Sequence, residues 1–124
     1  MASPNIINVA TITGLTTYNA MASTAEIVIL NNPQGSGTVF KVNDIIVSNV
    51  DGASSADISL AYRSAAGGGG SAFKLAHTVA VAPDSVLVAI DRSSSIYLEE
   101  NTCLTAQASA ADDLNVIASY EVIG

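Results

Sequence analysis

From Ala56 to Tyr62 the chain alternates: Ile58, Leu60 and Tyr62 are apolar, and Asp57, Ser59 and Ala61 between them are polar or small. A period of two puts successive side chains on opposite faces of an extended backbone, so this pattern encodes a strand with one buried face. The pattern recurs down the sequence. Phe73, Leu75, His77, Val79 and Val81 fall in one phase, and Val86, Val88 and Ile90 form the next inward set. Leu104, Ala106 and Ala108 alternate with Thr105 and Gln107, and Leu114, Val116, Ala118, Tyr120 and Val122 make the last stripe. Ile96–Leu98 is a shorter run.

Residues that favour turns separate these runs: NNPQGSG at 31–37, VDGAS at 50–54, Pro83-Asp84, Glu99-Glu100-Asn101 and Asp112-Asp113. Upstream, Ile6–Thr13 reads as a strand and Thr17–Leu30 as a second. The middle of the second, NAMASTAEIVIL, is rich in alanine, but Thr16, Thr17 and the Ile27–Leu30 run favour extended chain with room for a bulge. In TVFKVNDIIVSN, Phe40 and Val42 share a face, Asn43-Asp44 disturbs the phase, and IIV resumes it.

Eight or nine strands with turn signals every eight to twelve residues, and no helical stretch, predict an all-β fold: a single antiparallel β-sandwich, jelly-roll-like. Pattern alone does not separate two Greek keys from an immunoglobulin-like topology, although the Cys…Trp…Cys spacing of the latter is missing. Residues 14–124 form the sandwich domain, and residues 1–13 are either its first strand or an arm. The glycine run Gly67–Gly70 reads as a flexible hairpin end.

A chain of 124 residues buries roughly two-thirds of its unfolded surface, enough for one core. With 49% hydrophobic and 12% charged residues it is not a disordered chain. Four basic residues against eleven acidic ones give a net charge of -7. That balance cannot supply the positive footprint a phosphate backbone or an anionic bilayer requires, so neither nucleic acid nor membrane is an expected partner. Cys103 is the single cysteine, which excludes an intrachain disulfide and a cysteine-based metal cluster. MASPNIINVA has neither a basic stretch nor a long apolar one, so a chain made in the cytoplasm is expected.

The residue types that carry chemistry are sparse. His77 is the only histidine, and its phase with Leu75 and Val79 makes it a buried or interfacial structural residue. Cys103, one residue out of phase with Leu104, reads as a buried structural thiol. Glu99-Glu100 and Asp112-Asp113 stand at turns, where adjacent side chains point apart. Asn49, Asp51 and Asp57 could offer oxygen ligands, but Asn49 and Asp51 fit an Asx turn equally well and no calcium-loop pattern is present. Of the six aromatics, Tyr18, Phe40, Tyr62, Phe73, Tyr97 and Tyr120, most sit in core phase. No catalytic, cofactor-binding or metal residue is assigned, no cofactor is expected, and the chain does not read as an enzyme.

The polar strand positions are mostly Ser, Thr, Asn and Ala, with few of the Lys and Pro residues that guard exposed edges. Small, uncharged β surfaces suit packing against neighbouring subunits. The phrases SPNIINVATITG, FKVNDIIVSNVDG, ADISL, IYLEENTCLTAQAS and DLNVIASYEVI cover nearly the whole chain. In them it resembles small virion structural proteins of marine and cyanobacterial tailed bacteriophages. That resemblance implies a capsid cement or decoration protein, with a neck, tail or fibre-attachment protein as an alternative; the sandwich class itself leaves a carbohydrate-binding or adhesion module as another. It implies as partners the chain itself, as a homotrimer, and the major capsid protein. It places the protein in the virion after synthesis in the host cytoplasm. An N-terminal arm would add a strand to a neighbour's sheet.

Overall fold

The computed structural model describes residues 9–124. Its nine strands are β1 Ile12–Ala20, β2 Ile27–Asn32, β3 Val39–Asn49, β4 Ala56–Ala65, β5 Gly69–Val81, β6 Val86–Ile90, β7 Ile96–Leu98, β8 Thr102–Ala108 and β9 Leu114–Ile123. They form two antiparallel sheets. The first has the order β1-β9-β3-β6, with β7 also on β3, and the second has the order β2-β8-β4-β5. The chain changes sheet at every connection except the β4–β5 hairpin and the step from β6 to β7. That path is two Greek keys closed face to face, a jelly roll, which resolves the topology that the sequence pattern leaves open.

The core lies where the two inner faces meet. Val42, Ile45, Val47, Leu114, Val116 and Ala118 of the first sheet pack against Ile58, Leu60, Leu104, Ala106 and Ala108 of the second. Each fully buried Ile or Leu contributes about 1.5–3 kcal/mol relative to exposure. Phe40 and Tyr120 add one tilted ring pair with centroids 5.3 Å apart. The phase break at Asn43-Asp44 is a real irregularity: the β3–β9 register shifts between Val42 and Asp44, which returns Ile45 and Val47 to the core.

Three expectations need correction. The expected strand Thr17–Leu30 is two strands in different sheets. Met21 ends β1 as a buried anchor whose N–H donates to the Leu114 carbonyl, and Ala22–Glu26 carries the chain across. Of the expected strand Ile6–Thr13, residues 6–8 lie outside the described residues, residues 9–11 are not in a strand, and the last two residues open β1.

In β5, register shifts against β4 break the single stripe. Phe73, Ala76, Val79 and Val81 stand opposite Tyr62, Leu60, Ile58 and Ala56, while Leu75 and His77 occupy the irregular positions. His77 is therefore exposed. In β6, a shift between Ile45 and Ile46 of β3 leaves Ile90 buried but turns Val86 and Val88 outward, 59% and 53% exposed.

Candidate assembly interface

The outer face of the first sheet carries an apolar row in cross-strand register. Tyr18 of β1 is opposite Ile117 of β9, Ile117 is opposite Ile46 of β3, and Ile46 is opposite Val88 of β6. Alternation places these residues outward because their neighbours Val116 and Val47 point into the core. Tyr18 is 79% exposed and Ile117 37%. The row on one side is Ala20, Asn115, Ser48 and Val86, and on the other Thr16, Ser119 and Asp44. Thr16 and Ser119 share a hydroxyl hydrogen bond of 3.3 Å.

Asp44 is the only charged residue in these three rows, and Lys41 and Glu121 pair one row further on. Glu121 accepts a hydrogen bond from Asn43 Nδ2 at 2.8 Å. An apolar strip with a hydroxyl-rich border and charge held at its rim has the composition of a protein–protein contact. A shallow hollow lined by Tyr18, Asn19, Ala20, Asn115 and Ile117 marks its β1 end.

Part of the outer face of the second sheet, around β8 and the adjoining half of β4, is covered by the chain itself. Glu26 receives Arg63 Nη2 at 2.8 Å and Nε at 2.9 Å, and Thr105 Oγ1 donates to it at 2.5 Å. The Arg63 guanidinium first, and the Thr105 hydroxyl second, hold the Glu26 carboxyl below the ordinary carboxylate range. Thr105 and Ala61 are buried although both point away from the core.

Gly67–Gly70 is not a free hairpin tip. A 3-10 turn at Ala66–Gly68 folds back over β8, where Gly67 N–H donates to Asn31 Oδ1 at 2.8 Å, Ala66 N–H to Asn101 Oδ1 at 3.2 Å and Gly68 N–H to Cys103 Sγ at 3.3 Å. Glycine is required here by geometry. Gly70 has φ +67, and a Cβ there would lie 2.7 Å from Ala65 N and against Ser64 Oγ. Cys103 is buried beneath the turn, as expected of a structural thiol, and its Sγ donates to the Ala65 carbonyl at 3.4 Å.

The other sequence candidates are scattered. His77 borders an open depression of about 360 Å³ with Asp57, Ser59, Lys74 and Gln107. The Ser59 hydroxyl there accepts from Thr78 N–H. Among the described residues no hydrogen bond joins His77 to a serine or a carboxylate, and Cys103 lies under its turn elsewhere on the sheet. Asn49 is committed to backbone: its Nδ2 donates to the Ser54 and Val81 carbonyls and its Oδ1 receives Asp51 N–H. With Asp51 accepting from Ala53 N–H, that is the Asx turn.

Tyr18, Phe73 and Tyr97 are exposed and Phe40, Tyr62 and Tyr120 pack against the core, so half of the six aromatics, not most, lie on the core side. Tyr18 is the residue that sequence reasoning missed. Its parity with Thr16 and Ala20 opposite β9 was the available signal, hidden because β1 was split between two misplaced strands.

No protein-family model matches the chain, and no curated protein matches it. Among solved structures, the chain is similar to one from the Bacillus endospore appendages described as a family of disulfide-linked pili. The identity is 13%, the TM-score is 0.50, and 94% of this chain and 93% of that one are covered. The likeness is one of fold. A second match is to the virus-like particle of the extra small virus of the prawn Macrobrachium rosenbergii, with 11% identity, TM-score 0.37, and 97% and 84% coverage.

Proposed function

We propose that this chain is a structural protein of a tailed-bacteriophage virion, a capsid cement or decoration protein that stabilises the head by bridging capsomers. The observation that carries the reading is the Tyr18–Ile117–Ile46–Val88 row, an apolar strip spanning one whole sheet of the sandwich. Burying such a strip against a shell stabilises by about 25 cal/mol per Å² of apolar surface, and with Asp44 as its only charge it costs little desolvation. The phrase resemblance to phage virion proteins and the recurrence of jelly rolls among capsid proteins support the same reading. The partners are then the major capsid protein beneath this face and further copies of the chain. Its place is the virion, and its synthesis is in the host cytoplasm.

A pilus subunit is the reading that the Bacillus likeness would bring. One cysteine per chain, buried under Ala66–Gly68, does not suit disulfide-linked polymerisation, which needs a bond to each neighbour. Gradient-purified particles probed with an antibody to the chain test the proposal. Label distributed over the head supports it, label confined to the neck or tail favours the fibre-attachment alternative, and its absence from particles overturns a virion role.

A further inference from the structure

We infer that the outer edge of β1 pairs antiparallel with the β1 edge of a second copy across a two-fold axis at Thr16. The ladder geometry sets the phase. Gly124 N–H donates to the Thr11 carbonyl at 3.0 Å and Met21 N–H to the Leu114 carbonyl at 2.9 Å, so at both ends the odd residues of β1 bond to β9. The pairing between those ends runs without a register shift from Ile12 to Ala20. Alternation in an antiparallel ladder then leaves the N–H and C=O groups of Ile12, Gly14, Thr16, Tyr18 and Ala20 facing away from the sheet. Among the described residues no strand pairs with them, and only the Ala20 carbonyl has a partner, accepting Ala22 N–H at 2.9 Å in the turn that ends the strand.

The other three edges are guarded. β5 has register shifts against β4 and carries Lys74, with Thr78 in the left-handed region at φ +46. β6 is interrupted by the turn at Arg92–Ser94 that Asp91 caps. β2 is short, has a register shift at Val28/Leu30 and ends at Pro33. From Thr11 to Met21 there is neither a charge nor a proline, the condition under which a regular edge recruits another strand.

The register chooses a second copy as the occupant. Antiparallel pairing of all nine residues about Thr16 sets Ile12 against Ala20, Gly14 against Tyr18 and Thr16 against Thr16, and each pair exchanges two backbone bonds. A Cβ on Gly14 would meet nothing within 4 Å, so the glycine leaves open space on the outer face. The exposed ring of Tyr18 from the other copy fills that space, the cross-strand aromatic–glycine pairing that compensates a strand glycine. The Thr16 pair is a favourable cross-strand match. On the inner side Leu15, 46% exposed at the rim, is covered by Thr17 of the second copy. The two apolar faces become one continuous sheet. This pairing stands on the edge geometry and goes beyond the virion reading, which it would survive or outlive independently.

Cysteine cross-linking of the full chain tests it, with the native Cys103 buried and silent. Thr16→Cys is expected to form an interchain disulfide on mild oxidation, because its two copies face each other at a Cα separation of about 5.5 Å. Ile12→Cys alone is expected to form no interchain disulfide, and mixed with Ala20→Cys to give disulfide-linked heterodimers. Thr16→Lys, which sets like charges opposite each other, is expected to abolish the concentration-dependent dimer that sedimentation should show for the wild type, while the chain stays folded by circular dichroism. A wild-type chain that is monomeric at all concentrations, or Ile12→Cys cross-linking as readily as Thr16→Cys, would overturn the pairing. The latter would point to another occupant of the edge, such as an N-terminal arm.

Discussion

Gly68 N–H points at Cys103 Sγ from 3.3 Å, so the most glycine-rich segment of the chain is the cover of its only thiol. The polar atoms beneath the turn, on Asn31 and Asn101, hold that cover by side-chain acceptors from two neighbouring segments. A segment that reads as loose tether is thus a fixed part of the second sheet's outer face.

Thiol reactivity should report that cover. Native Cys103 is expected to resist a soluble thiol reagent and to react at the unfolded rate in denaturant. Gly70→Ala is expected to destabilise the fold and expose the thiol, because its Cβ has no room beside Ala65 N. Gly67→Ala, with φ +72 and open space around it, should cost only about 1 kcal/mol, the left-handed penalty alone. Fast labelling of the native wild type would show the cover to be open.

Acid should weaken the fold partly through Glu26. Its folded pKa is lowered by Arg63 and then Thr105. The linked stability is therefore fully present above the unfolded glutamate pKa of about 4.3 and is lost as pH falls through the lower folded value. Because the pair is partly exposed, the contribution is at most about 1 kcal/mol. Glu26→Gln is expected to lower Tm at pH 6 and to converge with the wild type near pH 3, read by thermal unfolding across pH. A constant gap would contradict the assignment.

The phase of β6 can be tested by two truncations. Ile90→Ala removes buried core and should cost about 2–5 kcal/mol in denaturant unfolding. Val88→Ala trims an outward side chain and should stay within about 0.5 kcal/mol. A comparable loss at Val88 would restore the simple alternation of Val86, Val88 and Ile90 as an inward set.

That strand shows where sequence reading stops. The fold class and the stripes of β4, β8 and β9 are written in plain alternation, since Ile58 and Leu104 share the unbroken β4–β8 ladder and Val116 lies in the unbroken β1–β9 one. A register shift inserts one residue and inverts every later side chain, so β5 and β6 read in the wrong phase. Asn43-Asp44 betrayed its shift through a polar pair within an apolar run. The shift opposite Ile45 and Ile46 left no such mark, since both sides are apolar. Sheet membership is also invisible locally: nothing in Ala22–Glu26 states that the chain is crossing between sheets. The apolar row was missed for that combined reason, being assembled from four strands distant in sequence.

The account rests on that row, and rebinding measures it directly. Particles stripped of this protein are mixed with labelled wild type or with Ile117→Lys, which alters an outward position of central β9 and leaves the core in place. The wild type should saturate the particles, while the variant, still folded by circular dichroism, should lose binding at least tenfold. Equal binding by the two chains would contradict the first sheet's outer face as the assembly surface.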